Sequence, residues 1–432
     1  MHVLAEYTKP AYNVRQNTCM EDDPMKNPVV RSASILLPAA SVAPEKWAVV
    51  AVDQYTSQPE YWDEVNRIVG DAPSTLRLTL PEVYLKEGEK RIPAMQRCMR
   101  EYLSDGTLIE AVSDGYILVE RSTEAGARLG LMACLDLEQY DFAAGSQSLI
   151  RATEGTVIER VPPRVKIRRG AALELPHVLM LADDVNCRLI EPLYGMRALL
   201  ETAYDFDLMQ GGGHLRGWKV EGEAARQAEE ALDALYESCG GLMLAVGDGN
   251  HSLAAARAYW LELRQQLPEA ERANHPARYA LVEIENLHSP AIQFEPIHRV
   301  VTGVDAEAMI DECCEHLRAE CGAGENALTL VTKGREVRLN LDSHPLRALQ
   351  AWLDRYLAEH PGVEIDYIHG DDTLRSLADR ADAVGFMPCA FAKAELFPYI
   401  RRFGVLPRKT FSMGHAHEKR FYMEARRIAG AV

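Results

Sequence analysis

The residues best placed to do chemistry lie between an apolar run and an alanine-rich helix. Leu242–Val246 has the pattern of a buried strand, and the stretch from Leu253 onward that of a helix of high propensity. The junction reads Gly247-Asp248-Gly249-Asn250-His251-Ser252. Two glycines let the backbone turn sharply and let a ligand come close. The helix start offers unpaired N–H groups and the positive end of a dipole, which favour an anion. Asn250 or Ser252 could cap it. Asp248 has the chemistry of a base or a metal ligand, and His251 that of a phosphate donor or proton shuttle. Two such residues fall short of a metal-ligand set, and a capped strand-to-helix turn explains the junction equally well.

A second constellation is Arg151-Ala152-Thr153-Glu154-Gly155-Thr156, followed by Arg164 and Arg168. Glu154 among arginines could act as a general base, and the arginines could clamp a carboxylate or phosphate through two hydrogen bonds each. A solvated basic strand face is the plain alternative. The third is Pro407-Arg408-Lys409-Thr410, with His415 and His417 beyond it. His-x-His on a strand would put both rings on one face, though surface histidines in a loop are the commoner case. Asp53 closes the apolar run Trp47–Val52, and a polar loop at the end of a buried strand is a common place for a site. No Gly-x-Ser-x-Gly elbow and no recognisable cysteine nucleophile occur.

The elements that must position these residues alternate along the chain. Ile35–Leu37 and Trp47–Val52 are expected strands, and a helix begins near Pro59. A helix is expected over 90–104, a hairpin over 115–121 and 128–137, and a strand over 175–181. Residues 278–288 alternate as a strand. Beyond Gly303 the pattern restarts with helices at 305–319, 346–359, 372–379 and 392–403 around short strands. This gives a polar arm over 1–30, an α/β core over 31–302 and a C-terminal α/β subdomain over 303–432. The fold class is α+β, with mixed sheets flanked by helices.

Composition narrows the partners. The chain has 432 residues and a formal net charge of −17. That surplus repels phosphate backbones and anionic lipid, so nucleic acid and membrane surfaces are not expected partners. Positive charge is concentrated at 151–169 and 401–409, which suits a small anionic metabolite or nucleotide. No apolar run approaches the roughly 20 residues of a spanning helix, and the first residues lack a signal-peptide apolar region. Nine scattered cysteines with no Cys-x-x-Cys read as reduced thiols, hence a cytoplasmic location; a homo-oligomer is compatible with all of this.

Four of these blocks occur in the order seen in the domain-of-unknown-function family 1015, and the chain resembles that family over roughly residues 31–425. Asp53 resembles its N-terminal Asp loop. Arg151–Thr156 resembles its Arg-Pro-His-Glu-x-Thr block, Gly247–Ser252 its Asp-Gly-His-His-Arg block, and Pro407–Thr410 its Pro-x-Lys-Ser/Thr block. The turn also resembles the phosphate-binding turn of the ParB/sulfiredoxin-like superfamily. The resemblance implies a core of that kind, with N- and C-terminal α/β additions. It implies an enzyme that binds a nucleotide with Mg²⁺ or a phosphorylated small molecule, transferring phosphoryl to a small amino-acid-like substrate. Asp248, His251 and Glu154 would be catalytic, with Asp248 the candidate metal ligand. Gly249, Asn250, Ser252, Arg151, Thr153, Arg164, Arg408, Lys409 and Asp53 would hold substrate or phosphate. Ser252 stands where the family has a phosphate-gripping Arg, and Thr153 where it has a His; a serine donates one neutral hydrogen bond where Arg forks two charged ones. A non-catalytic metabolite sensor and a metal-dependent hydrolase are the alternatives.

Overall fold

The computed structural model describes residues 27–123, 126–143, 145–321 and 324–430. Of the expected N-terminal arm, residues 1–26 therefore lie outside the described residues. The chain forms two compact units. Of the described residues, one comprises those up to Ile292 together with those from His415 onward, and the other those of Gln293–Gly414.

The first unit is built on a mixed sheet that, among the described residues, has eleven strands. Its principal strands are β1 (Ala33–Pro38), β2 (Leu108–Thr123), β3 (Gly126–Asp136), β4 (Tyr140–Asp141), β5 (Ile150–Ala152), β6 (Leu179–Ala182), β7 (Thr202–Asp207), β8 (His214–Val220), β9 (Leu244–Asp248) and β10 (Tyr279–Asn286). They run in the order β7-β8-β2-β3-β10-β6-β9-β5-β4, with β1 also paired to β2. The β5–β9 and β6–β10 ladders are parallel and most others antiparallel, so the fold is the mixed α/β class expected from the sequence. The helices that matter for the site are α1 (Pro59–Val69), α2 (Gly88–Ser104), α3 (Val161–Arg168), α4 (Gly222–Ser238) and α5 (Asn250–Arg264).

Two local outcomes differ from the sequence pattern. Trp47 ends a helical turn, Pro44–Trp47, and only Val49–Val50 is strand. The basic stretch is not a strand face beyond Ala152. Pro162 and Pro163 sit in the first turn of α3, where a missing N–H breaks no helical bond. The alanines of α5, Ala254, Ala255, Ala256 and Ala258, are all buried, and this narrow face lets α3 pack close.

The second unit is antiparallel. Its strands are β11 (Glu295–Thr302), β12 (Asn326–Thr332), β13 (Arg335–Leu341), β14 (Glu364–His369) and β15 (Ala383–Pro388), ordered β13-β12-β15-β11-β14. Residues 411–412 pair with the start of β11, Glu295 opposite Ser412. Helices α6 (Ala306–Cys321) and α7 (Leu346–Glu359) cover a core that includes Leu317, Trp352 and Phe386. The sequence pattern put the boundary near 303, yet β11 begins at Glu295 because its ladder partners, β14 and β15, lie in the later half. Residues 415–430 return to the first unit, where Phe421 and Tyr422 pair with Val50 and Val49.

Candidate functional site

The strand-to-helix junction is as sharp as its glycines suggest. Gly249 has φ 79 and is the N-cap of α5. A Cβ there would lie 3.0 Å from the Val178 Cα and 3.3 Å from the His177 ring, so the position needs glycine for both conformation and space. Two of the amides expected to face a ligand are occupied. Gly249 N–H donates to Asp248 Oδ1 at 2.8 Å, and Ser252 N–H to Gly249 O at 3.0 Å. The first turn therefore presents the amides of Asn250 and His251.

Asn250 and His251 hold the neighbouring loop. The Asn250 amide donates to Thr156 Oγ1 at 2.7 Å and accepts from the Tyr140 hydroxyl at 2.7 Å. His251 Nε2 accepts the Val157 N–H at 3.1 Å. Burial, then Arg164 and Arg160, push the His251 pKa down to about 4. A neutral ring that accepts a backbone proton at Nε2 fastens the 153–157 loop through that nitrogen and keeps its own proton on Nδ1.

Asp248 is paired. Burial pushes its carboxyl up, but the Lys419 ammonium at 3.0 Å, with the Gly249 amide, outweighs this and holds it below its ordinary range. A metal at Asp248 would have to displace that ammonium. Among the described residues no group of three or more His, Cys, Asp or Glu side chains is arranged to hold a metal ion. His415 and His417 flank Ala416 in a 3-10 turn, Ala416–Glu418, rather than on a strand, and their rings stack at 5.7 Å.

The cavity lies beside this junction, within the first unit. Its interior measures about 160 Å³, and it opens to solvent. Its floor is apolar, with Leu80, Leu85, Met99, Ile167 and Leu281, and α5 contributes Ala255 and Ala256. Asp53, Arg164 and Ser252 line it, and so do His177 and Tyr422. His177, 9% exposed, is the hub. Its Nδ1 is 2.9 Å from the Tyr422 hydroxyl and its Nε2 is 3.0 Å from Ser252 Oγ and 3.8 Å from Asp53 Oδ2. Arg164 is ion-paired with Glu82. Burial lowers its pKa, opposed by Asp53 and Tyr422. The loop after Asp53 is held in a strained form: Tyr55 has φ 52 and stacks on Tyr61 at 3.7 Å.

The other expected site residues lie elsewhere. Arg151 donates to the carbonyls of Ser148 and Gly241, both at 2.8 Å, and is buried in the sheet. It ties backbone together and is not the clamp expected of it. Thr153 donates to Val246 O at 2.8 Å and fastens β5 to β9. The Glu154 backbone carbonyl accepts from Asn250 at 3.5 Å. Arg408 and Lys409 belong to the second unit, where Arg408 pairs with Asp354 at 3.2 Å and Lys409 has φ 57.

The family described as "protein of unknown function (DUF1015)" matches residues 36–358. The chain belongs to this family. No curated protein matches the sequence. Solved structures similar to this DUF1015 protein include SbnI with a C-terminal truncation from Staphylococcus aureus. It is 11% identical, with TM-score 0.33, covering 66% of this chain and 82% of that one. A free serine kinase in complex with AMP is 13% identical, with TM-score 0.35, covering 66% and 92%. A conserved hypothetical protein from Pyrococcus furiosus is 12% identical, with TM-score 0.31, covering 62% and 88%.

Three residues of this DUF1015 site escaped the sequence pattern: His177, Tyr422 and Lys419. His177 follows Pro176 at the edge of an apolar run, and a polar residue facing such a run was the available signal. Tyr422 and Lys419 reach the site only through the pairing of the C-terminal segment with Val49–Val50. No helix among the described residues is long and apolar enough to cross a membrane. The cysteines described with their side chains, Cys98, Cys134, Cys187, Cys239, Cys313, Cys314 and Cys389, are free thiols.

Proposed function

We propose that the cleft of the first unit binds a nucleotide or a phosphorylated small molecule, and that the protein transfers a phosphoryl group to a small amino-acid-like substrate. One observation carries this reading. The cleft is lined by Leu80, Met99, Ile167 and the alanines of α5, and also by Asp53, Arg164, His177 and Ser252, which the contacts of His177 with Asp53 and Ser252 draw together. An apolar body with a charged oxygen group at its end fits that division. Phosphoryl transfer asks mainly for positioning and charge neutralisation; Arg164, paired with Glu82 in the same cleft, brings the positive charge and Ser252 a hydroxyl. Asp53 is the expected site carboxylate that faces the cleft, where the sequence pattern placed it as a substrate- and phosphate-binding residue. Mg²⁺ is commonly held by one or two carboxylates plus phosphate oxygens. Asp53 fits that donor set, whereas Asp248 already carries the Lys419 ammonium. When bound, the ion would neutralise phosphate charge.

The test is thermal stabilisation by AMP, ADP, ATP and CTP at millimolar concentration, with and without Mg²⁺, followed by assay for ADP release with a panel of hydroxy amino acids. Ligand at 100 times its Kd stabilises by about 2.7 kcal/mol, a readily measured shift in Tm. Arg164→Gln is expected to abolish it, and Ser252→Ala, which loses one neutral hydrogen bond, to roughly halve it. No shift with any nucleotide would overturn the reading.

A further inference from the structure

The wall of the cleft contains a chain of hydrogen bonds whose direction is fixed at one end. The Val52 N–H points at the Tyr422 hydroxyl oxygen at 3.3 Å. That hydroxyl is 2.9 Å from His177 Nδ1, and His177 Nε2 is 3.0 Å from Ser252 Oγ. An amide N–H can only donate. The Tyr422 oxygen therefore accepts from Val52, and its own proton goes to its other partner, His177 Nδ1. A neutral imidazole whose Nδ1 accepts carries its proton on Nε2. That proton goes to Ser252 Oγ, and the Ser252 hydroxyl proton is left to point into the cleft.

Two further observations keep the direction. Burial, then Asp53, raise the Tyr422 pKa, so the phenol keeps its proton. Asp53 Oδ2, 3.8 Å from Nε2, favours a proton on that nitrogen rather than on Nδ1. The Tyr422 ring is 2% exposed, its backbone is paired with Val49, and it meets the His177 ring edge-on at 5.5 Å, so the parts are held in place.

We infer that Ser252 is a hydrogen-bond donor to an anionic oxygen of the ligand, polarised through His177 by Tyr422, and that it is not a nucleophile. A serine 3.0 Å from a histidine invites the opposite reading, in which Nε2 accepts the serine proton and activates the oxygen. That arrangement would put the ring proton on Nδ1. Two donors would then face the phenol oxygen, and its own proton would lose its acceptor. The inference rests on the cleft taking a phosphorylated ligand, and adds how Ser252 can grip one where the family pattern has an arginine: each donor in an aligned chain strengthens the next.

The test is two-dimensional ¹H–¹⁵N spectroscopy of the full chain with ¹⁵N-labelled histidine at neutral pH, without ligand. The His177 signals are identified by their loss in His177→Gln. Coupling patterns are expected to show a protonated Nε2 and a bare Nδ1. Tyr422→Phe is expected to give a mixture of tautomers, and to weaken AMP binding about tenfold, the worth of one hydrogen bond. A ring protonated on Nδ1 in the unaltered protein overturns the inference. So does labelling of Ser252 by a fluorophosphonate that disappears in His177→Ala. The spectrum needs no ligand, so a failure to bind AMP counts against the proposed function, and a reversed tautomer against this inference.

Discussion

Gly249 is where backbone conformation and chemistry meet in one residue. Any side chain would have to adopt φ 79 and press on Val178 and the His177 ring. Gly249→Ala is expected to cost about 1–3 kcal/mol in urea unfolding, and to displace His177 from Ser252. An alanine variant of unchanged stability would show that the loop relaxes freely. His251 gives a pH signature. An unperturbed histidine takes up its proton near pH 6.5, whereas in the folded chain the His251 pKa is pushed down to about 4. The unfolded chain thus binds a proton that the folded one refuses, and stability falls as pH drops from about 6.5 towards 4. His251→Gln is expected to flatten that part of a Tm-against-pH curve; an undiminished slope would contradict it. Asp53, Arg164 and Ser252 were legible because each sits beside an obvious turn or charge cluster. His177 was not, because what makes it a hub is a hydroxyl 245 residues away.

The strand β10 shows the same limit for an element. Its alternation of Glu283 and Glu285 with apolar residues reads as a half-exposed strand, yet both glutamates are almost wholly buried, at 1% and 0% exposure. Glu283 is ion-paired with Arg420, which also holds Glu424, and Glu285 lies 2.8 Å from Arg128. The cations come from a neighbouring strand and from the C-terminal segment, so no local pattern shows them. Arg420→Met is expected to cost about 3–5 kcal/mol, since it strands two buried carboxylates. Chemical denaturation would check this, and a loss under 1 kcal/mol would argue that water reaches them. Burial pushes Glu285 up to about 7 against the pull of Arg128. Its contribution is therefore present below about pH 4.5 and lost as pH rises through 7, opposite in sign to His251. Glu285→Gln should remove that loss.

At the scale of the molecule, the second unit is one uninterrupted segment, Gln293–Gly414, with its own sheet and core. The pairing of Glu295 with Ser412 brings its entry and exit side by side, as in domains that fold as inserted pieces. Residues 293–414 produced alone are expected to melt cooperatively with strand and helix signals retained; a featureless melt would show that the unit depends on the rest of the chain. The restart of the pattern at Gly303 made two units legible. The true edge was not, because β11 takes its partners from strands more than sixty residues ahead.

The return of residues 415–430 to the first unit also sets an order of events during synthesis. His177, Glu283 and the start of α5 leave the ribosome long before Arg420 and Tyr422. While the inserted segment is being made, Glu283 waits without its arginine and His177 without its phenol. The site is thus finished by nearly the last described residues of the chain, and a nascent or prematurely terminated product is left without it.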